Sequence, residues 1–305
     1  MSGKFFADEE LKVVKTVFLK LDPTGLRTAR VLRNTFDQLY DGQRTGRYCW
    51  NQLYKVEREK GGHVVEINLQ REFAFQDGVI LDYLIAGVEV DCKCSQTFGG
   101  WMIPPEAREH LCLLVWAMDN KDPKWSMGLV RASDSHLNAG SNRDSKATLN
   151  EAGRKSIVWL FKDDPLPPNV LLSRDEKTVE KIMSYKTSGQ KRIDELLRSA
   201  RGKIIGRAAV ATVAQQHDYM KRLRTNGGAR TTLKREGIIV LGQYESHREI
   251  ARSLGVPVPG EGDTVSVKVA LAKEPGAGVV KIGRQLWRVA RADDDNVTAP
   301  DLPKI

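Results

Sequence analysis

The sequence predicts a two-domain protein of mixed α/β (α+β) class. A first domain places helices around a mixed central sheet, and a second, basic domain is built on a winged helix-turn-helix. Three observations predict this. Helical periodicity near the N-terminus gives way to short alternating runs after residue 72. The stretch Asp163-Asp164-Pro165-Leu166-Pro167-Pro168 interrupts both helix and central strand. Finally, residues 1–165 hold 23 Lys+Arg and 23 Asp+Glu while residues 166–305 hold 25 and 16, so the whole net charge of +9 lies beyond that break. The expected boundaries are 1–163 for the first domain, 164–170 for the linker, 171–290 for the second domain and 291–305 for a flexible tail, acidic and Pro-containing.

Residues 7–20 and 26–40 read as helices; in the second, Leu32, Phe36, Leu39 and Tyr40 supply the apolar stripe. The polar loop Asp41–Arg47 follows, then a short helix over 63–72. Strand-like runs come next: Phe73–Gln76, a turn at Asp77-Gly78, Val79–Ile85, a turn at Ala86-Gly87, and Val88–Ser95. Leu111–Met118 and Ser126–Ala132 form a further strand pair, Asn138–Asp144 a polar loop and Lys146–Phe161 a closing helix. In the second half, 174–184, 190–200, Ala208–Gln216 and His217–Arg224 read as helices and Gly237–Leu241 as a strand. Two helices meeting near Gln216 with a β-ribbon behind them give the winged helix-turn-helix.

Composition narrows the function. Hydrophobic residues at 41% and charged residues at 29% describe an ordinary soluble chain able to bury sizeable cores. With no apolar run of about 18 residues and no signal-peptide core in MSGKFFADEELKVVK, a cytoplasmic location is expected. Cys49, Cys92, Cys94 and Cys112 form no CxxC pair and no zinc spacing, so free thiols are expected. Between Lys186 and Arg235 stand 13 basic residues against three acidic, a field that attracts nucleic acid. Nothing resembles a nucleotide loop, a catalytic triad or a redox motif.

The stretch from Gly78 to Lys93 carries the chemistry. If Ala86-Gly87 is a two-residue turn, paired residues sum to 173, Asp82 faces Asp91, and Lys93 shares the face of Asp91. Two facing carboxylates repel unless protonated, exposed or bridged by a cation. Bridging by Mg²⁺ fits, because this ion takes a few carboxylates and keeps much of its water. Leu81, Tyr83, Val88, Val90 and Cys92 form the opposite, apolar face. Glu66 is a candidate third acid. The plain alternative is a solvated polar hairpin face.

Asp82, Asp91 and Lys93 match the Asp…(Asp/Glu)-x-Lys core of restriction-endonuclease-like nucleases, although Leu81 stands where that pattern often has Pro. Longer blocks resemble the NaeI restriction endonuclease family: Leu39–Tyr48, Val65–Phe73, Val90–Lys93, Phe98–Glu106 and His136–Asp144, then Ala211–Gln216 with Asn226–Arg230. They run in order from about residue 20 to 290. The resemblance implies a homodimeric type II (IIE-like) enzyme that cuts double-stranded DNA with Mg²⁺, its C-terminal domain binding a second DNA site. It implies catalytic residues Glu66, Asp82, Asp91 and Lys93, and a metal held by Asp82, Asp91, the Cys92 carbonyl and Glu66. A GC-rich palindrome such as GCCGGC would be the target, with a companion DNA methyltransferase protecting the host. The expected DNA contacts are Lys221, Arg222 and Arg224 on a recognition helix His217–Arg224, with Arg230 beside it. Arg44, Arg47, Asn142 and Arg143 are expected from polar loops of the first half. Two alternatives stay open on the residues alone: a structure-specific or repair nuclease, and a non-catalytic DNA-binding regulator.

Overall fold

The computed structural model describes residues 8–139, 144–184 and 188–303. The chain forms two compact units, one of Met1–Leu39 with Leu53–Pro168, the other of Tyr40–Gln52 with Asn169–Ile305. Among the described residues no helix is long and apolar enough to cross a membrane.

In the first unit, Asp8 caps α1 (Glu9–Leu21) by accepting the Leu11 N–H at 3.0 Å. Gly25, at φ +71°, turns the chain into α2 (Leu26–Tyr40), and a Cβ there would lie 2.9 Å from the Trp125 ring. The helix expected over 63–72 is the end of the longer α4 (Lys55–Phe73), which follows the short α3 (Gly42–Thr45). A six-stranded sheet comes next, in the order β1 (Gln76–Asp77), β2 (Tyr83–Ile85), β3 (Val88–Ser95), β4 (Leu111–Met118), β5 (Lys124–Arg131) and β6 (Val158–Pro165). The β3–β4 pair is parallel and the others antiparallel, so the sheet is mixed.

Seven of the eight β4 residues are buried, as a strand covered on both faces requires. Cys112, Leu114 and Trp116 join Leu81, Trp101 and Ile103 in a core on one face. On the other face Phe18 meets the Phe73 and Phe75 rings edge-on, Phe73 stacks on Phe75, and Phe75 packs at a tilt on Tyr83, which seats α1 and α4. Arg33 is 8% exposed and bonds both oxygens of buried Asp119 at 2.6 and 2.9 Å, with Asp37 at 2.9 Å.

Two expectations are corrected here. The closing helix over Lys146–Phe161 shrinks to α5 (Glu151–Lys155), and Val158 onward pairs with β5 as edge strand β6. The β-branched and aromatic run Val158-Trp159-Leu160-Phe161 follows the sheet's need for an edge partner rather than a helical period. The strand expected over Val79–Ile85 is regular only from Tyr83, because residues 78–82 form a loop bonded to Glu89.

The second unit gathers α6 (Glu176–Met183), α7 (Gly189–Ser199) and α8 (Arg207–Ala214) around Ile182, Ile193, Leu196 and Val210. Buried Arg192 donates to the Val213 and Ala214 carbonyls at 2.6 and 2.7 Å, which satisfies the open C-terminus of α8. Then come α9 (Ala229–Thr232), β7 (Ile238–Gly242), α10 (Glu245–Leu254), β8 (Thr264–Leu271), β9 (Val279–Ile282) and β10 (Gln285–Val289). These strands form one sheet in the order β7-β8-β10-β9.

The short stretch Tyr40–Gln52 belongs to this unit although it precedes most of the first in sequence. The cause is local. Gly42 lets α3 come so close to α8 that a Cβ would fall 2.0 Å from Thr212 Oγ1 and 2.7 Å from the Arg47 carbonyl. Asn169 donates to the Tyr48 carbonyl at 3.0 Å and Gln43 to that of Gln216 at 3.1 Å.

Two further corrections fall here. The helix expected over His217–Arg224 is a five-residue 3₁₀ turn, Tyr219–Leu223, because α8 ends in a left-handed cap at Gln215 and buried Leu223 anchors a tight return. The tail expected to be flexible is tied down through residue 303. Ala299 is buried and donates to the Lys234 carbonyl at 2.9 Å, Asp301 meets Lys234, and Val297 and Leu302 pack on the sheet core.

Candidate active site

The site lies where β2 and β3 leave their hairpin. Ala86 (φ 50°) and Gly87 (φ 83°) make the two-residue turn with both φ positive. The register Tyr83↔Val90, Leu84↔Glu89, Ile85↔Val88 is the one that sums to 173. Regular pairing stops at Tyr83, and Asp82 lies one residue beyond, where its Oδ2 accepts the Cys92 N–H at 2.7 Å. Asp82 is thereby held by the backbone of β3.

Lys93 Nζ donates to Asp91 Oδ1 at 2.7 Å and to the Cys92 carbonyl at 3.1 Å, and lies 3.5 Å from Asp82 Oδ2. One ammonium thus sits among two carboxylates and a carbonyl. Alternation puts Asp91 and Lys93 on one face of β3, while Val90 and Cys92 point to the face that α4 covers. Asp91 is 3% exposed, beside the Cys112 thiol at 4.0 Å. Burial pushes its carboxyl up to about 6, against the pull of Lys93, with Asp82 adding to the rise. Burial works to lower the Lys93 ammonium, but Asp91 and Asp82 outweigh it and hold its proton more tightly than usual.

Glu66 stands on α4, whose backbone at that residue accepts the Tyr83 hydroxyl at 2.8 Å. Burial, then the Asp82 charge, raise its carboxyl pKa, while Lys93 and His63 oppose the rise. His63 Nδ1 lies 3.6 Å from Glu66 Oε2. Glu66 therefore feels the pair but is not joined to it: among the described residues no three His, Cys, Asp or Glu side chains cluster as a metal cage. Asp82, Asp91 and the Cys92 carbonyl remain as donors. They are hard oxygens, the class that Mg²⁺ takes, and they already converge on a cation.

The pattern also contains a residue the sequence reading passed over. Glu89 shares a face with Asp91 and Lys93, and its carboxylate accepts the N–H groups of Val79 (2.6 Å), Ile80 (3.2 Å) and Leu81 (2.9 Å). These bonds hold its carboxyl below the usual range. The signal was legible as the i, i+2, i+4 series Glu89, Asp91, Lys93; its partners were not, because they lie ten residues away in a loop.

The expected DNA contacts among the described residues all lie in the second unit, and α3 and the basic 3₁₀ turn meet at Gln216, which accepts from Gln43 through its carbonyl and from Arg222 through its side chain. Lys221 is exposed and ion-paired with Asp218. Arg222 donates to Gln216 at 3.0 Å, and Arg224 is exposed just past the 3₁₀ turn. Arg230 is half-buried, with Nε on the Val240 carbonyl at 2.9 Å. Arg44 is exposed near Asp41, and Arg47 Nε reaches the Tyr40 carbonyl at 3.3 Å; both ride on the segment that joins the second unit. Asn142 and Arg143 lie outside the described residues.

Comparison with known proteins is consistent along the length of the chain. The family model described as restriction endonuclease NaeI matches residues 11–298. The type II restriction enzyme NaeI of Lentzea aerocolonigenes is 46% identical over 304 residues, which cover 97% of this chain and 95% of that protein.

Proposed function

The chain belongs to the NaeI restriction endonuclease family, and from that premise we propose that it cuts both strands of a GC-rich palindrome with Mg²⁺ at the Asp82–Asp91–Lys93 corner. As a type II restriction enzyme it is a site-specific deoxyribonuclease that binds double-stranded DNA. The observation that carries the finer reading is the convergence of Asp82 Oδ2, Asp91 Oδ1 and the Cys92 carbonyl on one cation, the Lys93 ammonium.

Asp82, Asp91 and the Cys92 carbonyl would hold Mg²⁺, with Glu66 adding negative charge from α4. The ion supplies Lewis acidity against the phosphate and a lowered barrier to water deprotonation. Lys93 donates, so it orients the attacking water and stabilises charge that grows on the phosphate oxygens. In the hydrolysis, water oxygen bonds to phosphorus, one P–O ester bond breaks, and the leaving oxygen takes up a proton. Cutting both strands of a palindrome calls for two such corners related by a two-fold axis, hence a homodimer. GCCGGC is the target proposed, and a companion methyltransferase would protect the host's copies.

We read the second unit as the holder of a second DNA site. Its helices α7 and α8, the basic turn with Lys221, Arg222 and Arg224, and the β8–β10–β9 ribbon support a winged helix-turn-helix. In this reading residues 8–39 with 53–168 are the cutting domain, and residues 40–52 with 169–303 the second-site domain.

The test is a digest of plasmid DNA by purified protein, with Mg²⁺ and with EDTA. Discrete fragments that vanish in EDTA support the reading, and mapping their ends gives the target. Smears or lone nicks would replace it with a repair nuclease; tight binding without cutting would replace it with a regulator.

A further inference from the structure

Val79 is 90% exposed and Ile80 63% exposed, two adjacent aliphatic side chains directed at water one loop away from Asp82. They are not carried on slack chain. The Glu89 carboxylate takes the N–H groups of Val79, Ile80 and Leu81. Leu81 is 7% exposed and anchors the loop in the core. Gly78 closes the turn so tightly that a Cβ would lie 2.2 Å from the Leu81 carbonyl and 2.7 Å from Glu89 Oε2. The next residue, Asp82, is fixed to the Cys92 N–H.

From this geometry we propose that residues 78–81 form a preformed apolar wedge that seats against the sugar and base edges of the DNA beside the cut. The inference rests on the reading of the Asp82–Asp91–Lys93 corner as the cutting site. Three residues of chain span at most about 10 Å, roughly three steps of 3.4 Å along a strand. A phosphate held at Asp82 and Asp91 therefore brings its neighbouring nucleotides within reach of Val79 and Ile80. The loop cannot serve as a phosphate clamp, since Glu89 has consumed its N–H groups and residues 78–81 contain no cation. What it presents is branched aliphatic carbon, the surface by which proteins press into the minor groove and part base steps. Rigidity matters, because a wedge ordered beforehand loses little entropy on binding.

The experiment uses the full chain and a duplex containing the sequence at which the unaltered protein cuts, with 2-aminopurine flanking the cut. Val79→Ser/Ile80→Ser should lower kcat/KM about tenfold or more and abolish the fluorescence rise on binding in EDTA. Its Tm and sedimentation mass should match the parent's, and Val79→Ile/Ile80→Val should restore both signals. Equal cutting by the Ser variant and the parent overturns the wedge alone. Loss of cutting accompanied by a fall in mass overturns it too, and assigns the tip to contact with a second copy. Failure of the unaltered chain to cut any DNA removes the underlying reading, and the wedge with it.

Discussion

Lys93 Nζ sits 2.7 Å from Asp91 Oδ1, two residues back on the same strand, and the same ammonium reaches toward Asp82 across the hairpin. The chain thereby sets one positive charge of its own between two facing carboxylates and offsets one of their two charges. Asp91 is almost wholly buried, so its charge has little water to fall back on.

The first prediction concerns cutting. Asp91→Ala and Lys93→Ala should each reduce cleavage to background while leaving duplex affinity within a few-fold in EDTA. Cleavage assays beside gel-shift titrations check this, and persistent cutting by purified Asp91→Ala would sink the assignment.

Lys93→Met tests the internal cation. Removal of the ammonium leaves Asp91 and Asp82 facing each other, which should cost about 2 kcal/mol in the metal-free protein. Mg²⁺ should then raise the Tm of the variant more than that of the parent. Thermal melts in EDTA and in Mg²⁺ measure both, and equal Mg²⁺ shifts would refute the idea.

Arg33 carries a structural ion pair of the first unit. Arg33→Met strands Asp119 and Asp37, and should destabilise the protein by about 3 kcal/mol or more. Asp37 is already raised by burial, held in check chiefly by Arg33. Denaturant midpoints of Arg33→Met, of Asp119→Leu and of Arg33→Met/Asp119→Leu give the test, the double variant recovering part of the loss.

Gly42→Ala should weaken the second unit by about 2 kcal/mol. The new methyl would meet the Thr212 side chain and the Arg47 carbonyl, and the carbonyl cannot rotate away. Urea unfolding checks this, and an unchanged midpoint would contradict the close approach of α3 to α8.

Stability should depend on pH through His247, 1% exposed, whose Nδ1 accepts the Gly242 N–H at 3.1 Å. Burial, then the Arg230 cation, push its pKa down from 6.5 to about 4. Between those values the unfolded chain binds a proton that the folded chain refuses, so stability falls as pH drops from about 6.5 toward 4, by at most about 3 kcal/mol. Asp91, raised to about 6, acts with the opposite sign. The fall in urea midpoint from pH 7 to pH 5 should therefore be smaller in His247→Gln than in the parent, and the difference between the two falls is the contribution of His247.

By itself the sequence determined the elements that depend on neighbours in the chain. Periodicity placed α1, α2, β3 and β4 almost residue for residue, and the Ala86-Gly87 turn fixed the hairpin register, because a two-residue loop allows one pairing and strand alternation does the rest. That register alone brings Asp82, Asp91 and Lys93 together. Only the tertiary structure decided matters that depend on distant partners. Residues 158–161 became an edge strand because β5 lacked one, and the tail docked because the sheet core had room for Ala299 and Leu302. Segment 40–52 joined the second unit through the missing side chain of Gly42, and residues 78–81 became a clamped loop because Glu89 offered one carboxylate to three N–H groups. Local propensity is weak, of order a few tenths of a kcal/mol per residue, and a buried hydrogen bond or a well-filled core site outweighs it.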